Sequence, residues 1–210
     1  MTREELIKVA RPILFNTEMV QAILRTEEPK TATRRLIKGY IPPDAKFGYT
    51  MFTPEKHISC RGTFSDGYGE KFFKLPYQKD DILYVRETWA ETTDEYLYKA
   101  LVAELSIPGV TELFTWRPSI HMPKKAARIF LKVTDVRAEH IKGMKLTDFL
   151  KEGVIPRPEA FNDPENAYWQ AREKFMEIWD NTIKKADFEL YKFDANPFVW
   201  VIEFERIEDI

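Results

Sequence analysis

The apolar and polar positions of the chain divide it into short elements of two periods. Ile13-Leu14-Phe15 after Pro12 is a brief apolar run and predicts a strand. Asn16 or Thr17 can cap a helix behind it, with Glu18 in the first turn and Val20, Ile23 and Leu24 as the buried stripe. That helix has to stop by Glu28, because Pro29 disfavours a helical residue before it. A strand follows from Lys30 to about Lys38. Thr31, Thr33, Arg35 and Ile37 share one of its faces, and Ala32, Arg34 and Leu36 the other. Taken alone, this stretch reads as a basic edge strand, since Lys and Thr commonly protect sheet edges.

Residues 39–79 are punctuated by glycines and prolines. Asp66-Gly67, between Thr63-Phe64 and Phe72-Phe73, predicts a hairpin with a loose turn. The region has too few aliphatic residues for a core of its own and reads as an elaboration. Ile82 to Trp89 predicts a strand, with Leu83, Val85, Glu87 and Trp89 on one face and Ile82, Tyr84, Arg86 and Thr88 on the other. Arg86 and Glu87 then mark where the strand leaves the core, at a cleft, a partner or a surface ion pair. Residues 95–105 suit a strand or a helix, ended by Pro108-Gly109. Trp116 to Lys125 carries two prolines and reads as a rigid extended loop, in which a lone His121 is more often structural than catalytic.

Arg128 to Arg137 predicts a strand with Ile129, Leu131 and Val133 inward. Thr147 can cap a short helix, Asp148 to Glu152, that Gly153 ends in the left-handed conformation. Glu152 then sits where the helix dipole disfavours a negative charge, which hints at another task. Asp163-Pro164 starts a helix to about Asn181, striped by Tyr168, Ala171, Phe175, Ile178 and Trp179. Phe198 to Arg206 closes the chain as a strand, with Phe198, Trp200, Ile202 and Phe204 inward and Glu203 and Glu205 outward. Five to seven strands and about three helices, with no β-α-β rhythm and no glycine-rich phosphate loop, predict a small mixed or antiparallel barrel closed by helices.

Composition narrows the chemistry. With 210 residues, 44% of them hydrophobic, the chain can core one domain or two small ones. Its net charge of -2 confines any polyanion site to a local patch or pocket. A single cysteine, Cys60, rules out an internal disulfide framework and fits a reducing compartment. The three histidines and the cysteine are too scattered for a zinc pattern, so neither metal nor cofactor is expected. No stretch reads as a signal peptide or membrane span, and the expectation is a soluble cytoplasmic protein without a membrane partner.

Lys30-Thr31-Ala32-Thr33-Arg34-Arg35 fits a Lys-x-x-Thr-x-Arg pattern after the first helix. Asp81 to Trp89, Trp116 to Arg128, Glu152-Gly153 and Asn196 to Phe204 follow it in order. Together these stretches resemble the ASCH-domain family, in its phage and prophage branch, over residues 11–38, 80–89, 116–153 and 196–207. Two positions depart from the family pattern. Glu28 stands where the family has a glycine two before the lysine, with Pro29 intervening, and Lys79-Asp80 stand where a glycine usually precedes Asp81.

The resemblance implies a single PUA-like α+β domain over 1–210, a small mixed β-barrel with flanking helices and with loop insertions at about 39–79, 90–115 and 154–195. It implies RNA or a modified nucleoside as partner. A small relative is an amidohydrolase that removes the acetyl group of N4-acetylcytidine, and by motif position its catalytic groups fall on Lys30, Thr33 and Glu152. In that scheme a lysine of lowered pKa takes the proton of Thr33, Glu152 relays a proton to the departing exocyclic nitrogen, and Arg35 or a backbone amide stabilises the oxyanion. Arg34, Arg35, Tyr84, Arg86, Glu87, Trp89, Trp116 and His121 are the substrate-binding candidates, the aromatic ones by stacking a base. The alternatives are a non-catalytic module for single-stranded RNA and, with least support, a metal-dependent ribonuclease, for which no carboxylate cluster with metal spacing is visible.

Overall fold

Local sequence chemistry sets the first turns of the chain. In a computed structural model, which describes residues 2–39, 41, 46–52, 59–65, 70–93, 95–105 and 109–208 (46–52, 59–65 and 70–74 as backbone alone), α1 spans Arg3–Val9. Thr2 and Glu5 close a reciprocal capping box at its start, a Thr-x-x-Glu signal that the periodicity reading passes over. After β1 (Arg11–Leu14), α2 (Thr17–Leu24) is capped by Asn16, whose side-chain oxygen accepts the Met19 N–H at 2.8 Å. The chain leaves α2 at Arg25 and turns through Glu28, which adopts a left-handed backbone with φ 48° just before Pro29.

The remaining elements are β2 (Ala32–Leu36), β3 (Lys46–Phe52), β4 (Ser59–Ser65), β5 (Glu70–Lys74), β6 (Ile82–Arg86), β7 (Trp89–Glu91), β8 (Tyr96–Tyr98), α3 (Lys99–Glu104), β9 (Phe130–His140), α4 (Leu146–Lys151), α5 (Pro164–Thr182), α6 (Phe188–Tyr191) and β10 (Phe198–Arg206). The described residues thus form more and shorter elements than the apolar pattern suggests. Five strands make one mixed sheet in the order β1-β6-β9-β10-β2, with β1 parallel to β6 and β2 antiparallel to β10. Strands β1 and β2 end the order, so the sheet is open and the expected closed barrel is not formed among the described residues. The fold is mixed α+β. No helix among the described residues is long and apolar enough to cross a membrane.

Three sequence expectations change in the structure. Ile82 to Trp89 is two strands, because the Glu87 N–H leaves the ladder for Met122 Sδ at 3.3 Å and Trp89 pairs instead with Tyr98 and Arg117. The loop from Trp116 to Lys125 contains two single-turn 3₁₀ helices, Ser119–His121 and Lys124–Ala126, each entered through a proline. The helix expected from Asp148, with Thr147 as its cap, starts at Leu146, with the Lys145 N–H donating to Asp148 at 2.8 Å. Residues 95–105 resolve their ambiguity by being both, β8 and then α3. The hairpin around 66–69 is present as β4 and β5, while Asp66-Gly67 itself lies outside the described residues.

The chain divides into two compact units. The first comprises 1–31, 80–133 and 204–210. Its core gathers Leu6 from α1, Tyr84 from β6, Met122, Ala126, Ala127 and Phe130. Arg3 ties α1 down by donating to the Ala127 carbonyl at 3.0 Å.

The second unit comprises 32–79 and 134–203. Ala167, Ala171, Phe175 and Trp179 recur every four residues along α5 and present one buried stripe. Phe149 of α4 packs on it, 5.5 Å from the Phe175 ring and 5.8 Å from Tyr168. Val199 and Val201 join this cluster while Trp200 and Ile202 are also buried, so β10 is covered on both faces.

Replacing Phe149 by alanine is expected to lower stability by about 3–5 kcal/mol through the cavity it leaves. Denaturant unfolding followed by tryptophan fluorescence reads this directly, and an unchanged midpoint would contradict the packing described.

Candidate functional site

Polar groups are buried at a cost unless partners are provided. Among the described residues five polar or charged side chains are buried: Lys30, Thr33, Arg34, Glu87 and Glu152, each at most 6% exposed. All five belong to the set that the sequence nominates.

Three of them lie in the second unit. Thr33, Arg34 and Arg35 face Ile202, Val201 and Trp200 of β10 in register. Alternation along β2 sends Arg34 to the opposite face from Thr33 and Arg35. Arg34 Nη1 donates to Glu152 Oε1 at 3.2 Å, and its Nη2 lies 3.4 Å from Asp148 and 3.7 Å from Glu139. Glu152 caps the C-terminus of α4, and Gly153 turns the chain away with φ 80°. The guanidinium thus offsets the unfavourable placement of a carboxylate at that helix end. Arg34 Nε and Nη2 are buried without a hydrogen bond, so the neighbouring carboxylates hold this cation mainly by charge.

Arg35 is half-buried. Burial lowers its pKa, opposed by the charges of Glu152 and Tyr77. It remains a cation at neutral pH. Glu152 is therefore hydrogen-bonded to the Arg34 guanidinium, and its charge also acts on Arg35. Beside them Arg137 donates to Asp135 and Glu203 at 2.8 Å each, and Lys151 donates to Glu203 at 3.2 Å. Burial would raise the Glu203 pKa, but the hydrogen bonds from Arg137 and Lys151 override it and the net direction is down.

The first unit holds the other two buried groups. Lys30 follows the α2 turn, its N–H donating to the Ala22 carbonyl at 2.9 Å, and its ammonium lies 5.9 Å from the Phe15 ring centre. Glu87 accepts both bonds of the Arg128 fork, at 2.9 Å each. The Arg128 guanidinium also covers the Tyr98 ring at 4.5 Å. Burial raises the Glu87 pKa, opposed by the bonds and charge of Arg128. Glu87 is thus no surface partner of Arg86, whose guanidinium donates to the Ile120 carbonyl.

The remaining nominated residues of this unit are spread over its fold. Tyr84 and Trp89 are core rings, approached by Lys124 at 5.4 Å and Arg117 at 5.1 Å. Trp116 is half-buried and donates its indole N–H to the Thr111 carbonyl at 2.6 Å. His121 is exposed in its 3₁₀ turn.

Sequence reasoning missed Arg128, Asp148 and Glu139. Asp148 was findable, because it lies four residues before Glu152 and so on the same helix face. Arg128 and Glu139 are brought to their partners only by the fold. No group of three or more His, Cys, Asp or Glu side chains among the described residues is placed to hold a metal ion.

An acid whose pKa is raised on folding loses stability when it ionises. The Glu87 contribution is therefore fully present below the usual value of 4.5 and is lost as pH rises through its raised folded value. Glu87→Gln is expected to flatten the stability profile over that window in urea titrations at successive pH, and a profile parallel to wild type would refute the assignment. Arg128→Ala, which strands the buried carboxylate, is expected to cost about 3–5 kcal/mol at neutral pH.

Comparison with protein-family models, curated proteins and solved structures finds no match to this chain.

Proposed function

We propose that this chain is a nucleoside- or RNA-directed protein of the ASCH type, with a PUA-like fold built on an open sheet, whose recognition chemistry is carried by Thr33, Arg35 and Glu152. The observation that carries the reading is that every buried polar or charged side chain among the described residues is one that the motifs nominate. Backbone geometry adds support. Glu28, where the family pattern has glycine before the lysine, adopts φ 48°, and within Lys79-Asp80, the region where a glycine usually precedes Asp81, Asp80 adopts φ 70°, the left-handed region that glycine enters at least cost.

The chemistry follows from the residue types. Arg34 is spent on holding Glu152, so it acts as a positioning residue. Arg35 offers a planar fork of donors suited to a phosphate or a base carbonyl. A carboxylate accepts several hydrogen bonds and suits the N–H of an exocyclic amine or amide. In the hydrolytic version, the Thr33 hydroxyl attacks the amide carbonyl of an N4-acylated cytidine, and its proton passes to a base, for which the resemblance nominates Lys30. That proton reaches the departing amine by relay through Glu152, and water then hydrolyses the acetyl–Thr33 ester to restore the hydroxyl. No observation favours the ribonuclease reading.

The test is deacetylation of N4-acetylcytidine followed by chromatography, with Thr33→Val, Glu152→Gln and Lys30→Ala assayed alongside wild type after their fold is checked by circular dichroism. Wild type is expected to turn over, and each variant to lose about a hundredfold or more. Salt-steep binding of cytidine-containing oligonucleotides without turnover would assign the non-catalytic form. Neither turnover nor binding would sink the proposal.

A further inference from the structure

The second unit contains a cavity of about 450 Å³ that Thr33, Arg34, Arg35 and Glu152 do not line. Its size falls in the range of small-ligand pockets. Ile37, Leu190, Pro197 and Phe198 supply apolar walls, and His140 and Tyr191 supply polar groups. Among the described residues no charged side chain lines it, so they offer a charged ligand no counter-ion. Leu190 is 68% exposed, an apolar side chain left uncovered at this site.

The polar groups are fixed in their roles. His140 Nδ1 lies 2.9 Å from the Asn196 carbonyl oxygen. A carbonyl can only accept, so Nδ1 carries the proton and Nε2 of the neutral ring is an acceptor. Asn196 is held in turn: it adopts the left-handed conformation (φ 54°, ψ 48°), and its side-chain oxygen accepts the Lys142 N–H at 2.9 Å. The His140 ring lies 3.7 Å from the Phe198 ring, tilted by 31°. Together they form an aromatic wall against which a flat ring can pack. The Tyr191 hydroxyl accepts the Gly39 N–H at 3.3 Å and retains its own proton to donate. The Tyr191 backbone is anchored by the Trp179 indole N–H at 2.9 Å.

We infer that this cavity binds a flat, uncharged heteroaromatic ring that carries both an N–H donor, for His140 Nε2, and a ring-nitrogen acceptor, for the Tyr191 hydroxyl. The site goes beyond the function proposed above and does not depend on it.

Titration calorimetry with benzimidazole, 1-methylbenzimidazole and indole tests the inference. Benzimidazole has both groups, the methylated ring lacks the donor, and indole lacks the ring-nitrogen acceptor. Wild type is expected to bind benzimidazole about tenfold more tightly than either control, the effect of one lost hydrogen bond. Ala195→Trp, at an exposed position of the lining, is expected to abolish binding. His140→Phe keeps the ring stack and is expected to erase the preference over 1-methylbenzimidazole. Thr33→Val is expected to leave benzimidazole binding unchanged, which separates this site from the proposed function. No binding to wild type, equal binding of the three probes, or undiminished binding by folded Ala195→Trp would overturn the inference; the probe comparison needs no variant.

Discussion

A charged side chain taken out of water has to meet an opposite charge, and each unit of this chain is arranged around one such requirement. In the first unit the burial of Glu87 demands Arg128, which answers with both arms of its fork and stacks on Tyr98. In the second the burial of Arg34 demands Glu152, with Asp148 and Glu139 adding charge around it. Neither pair has to be a large net source of stability, since desolvation offsets much of the attraction. What each pair does is make alternative arrangements costly, because losing one partner strands the other.

The consequences for local structure are visible in both units. Turning Glu87 inward takes its N–H out of the ladder, ends β6 at Arg86 and lets Trp89 open a new strand. Holding Glu152 to Arg34 fixes the end of α4 against β2, in the same helix that sends Phe149 into the aromatic cluster on α5. The proposed chemistry rests on this division of labour. Arg34 is buried against Glu152, and Arg35, the next residue on the same strand, is half-buried and faces the other way with Thr33.

Features set by neighbours in sequence were legible. Asn16 caps α2, Asp163-Pro164 starts α5, and β10 runs from Phe198 to Arg206 as its apolar pattern indicates. Each depends on groups within a turn of one another, so local chemistry suffices. The left-handed turns were legible only in part. Gly153 announces its φ 80°, whereas Glu28 and Asp80 adopt positive φ with side chains that do not advertise it. The two 3₁₀ turns after Pro118 and Pro123 were hidden in a stretch without periodicity.

By itself the sequence determined the α+β character, the position of most elements and which polar residues stand out of pattern. Glu87 could be picked from where it ends an apolar row and Glu152 from where it opposes a helix dipole, whereas Lys30, Thr33 and Arg34 lie in the stretch that carries the family resemblance and by themselves read as a basic edge strand. Only the tertiary structure decided who meets whom. Arg128 is 41 residues from Glu87, and Glu152 is 118 from Arg34. It likewise decided that the sheet stays open and that β10 is covered on both faces. The reason is physical: periodicity and capping are local free energies, whereas ion pairing and burial depend on which distant surfaces the folded chain brings together.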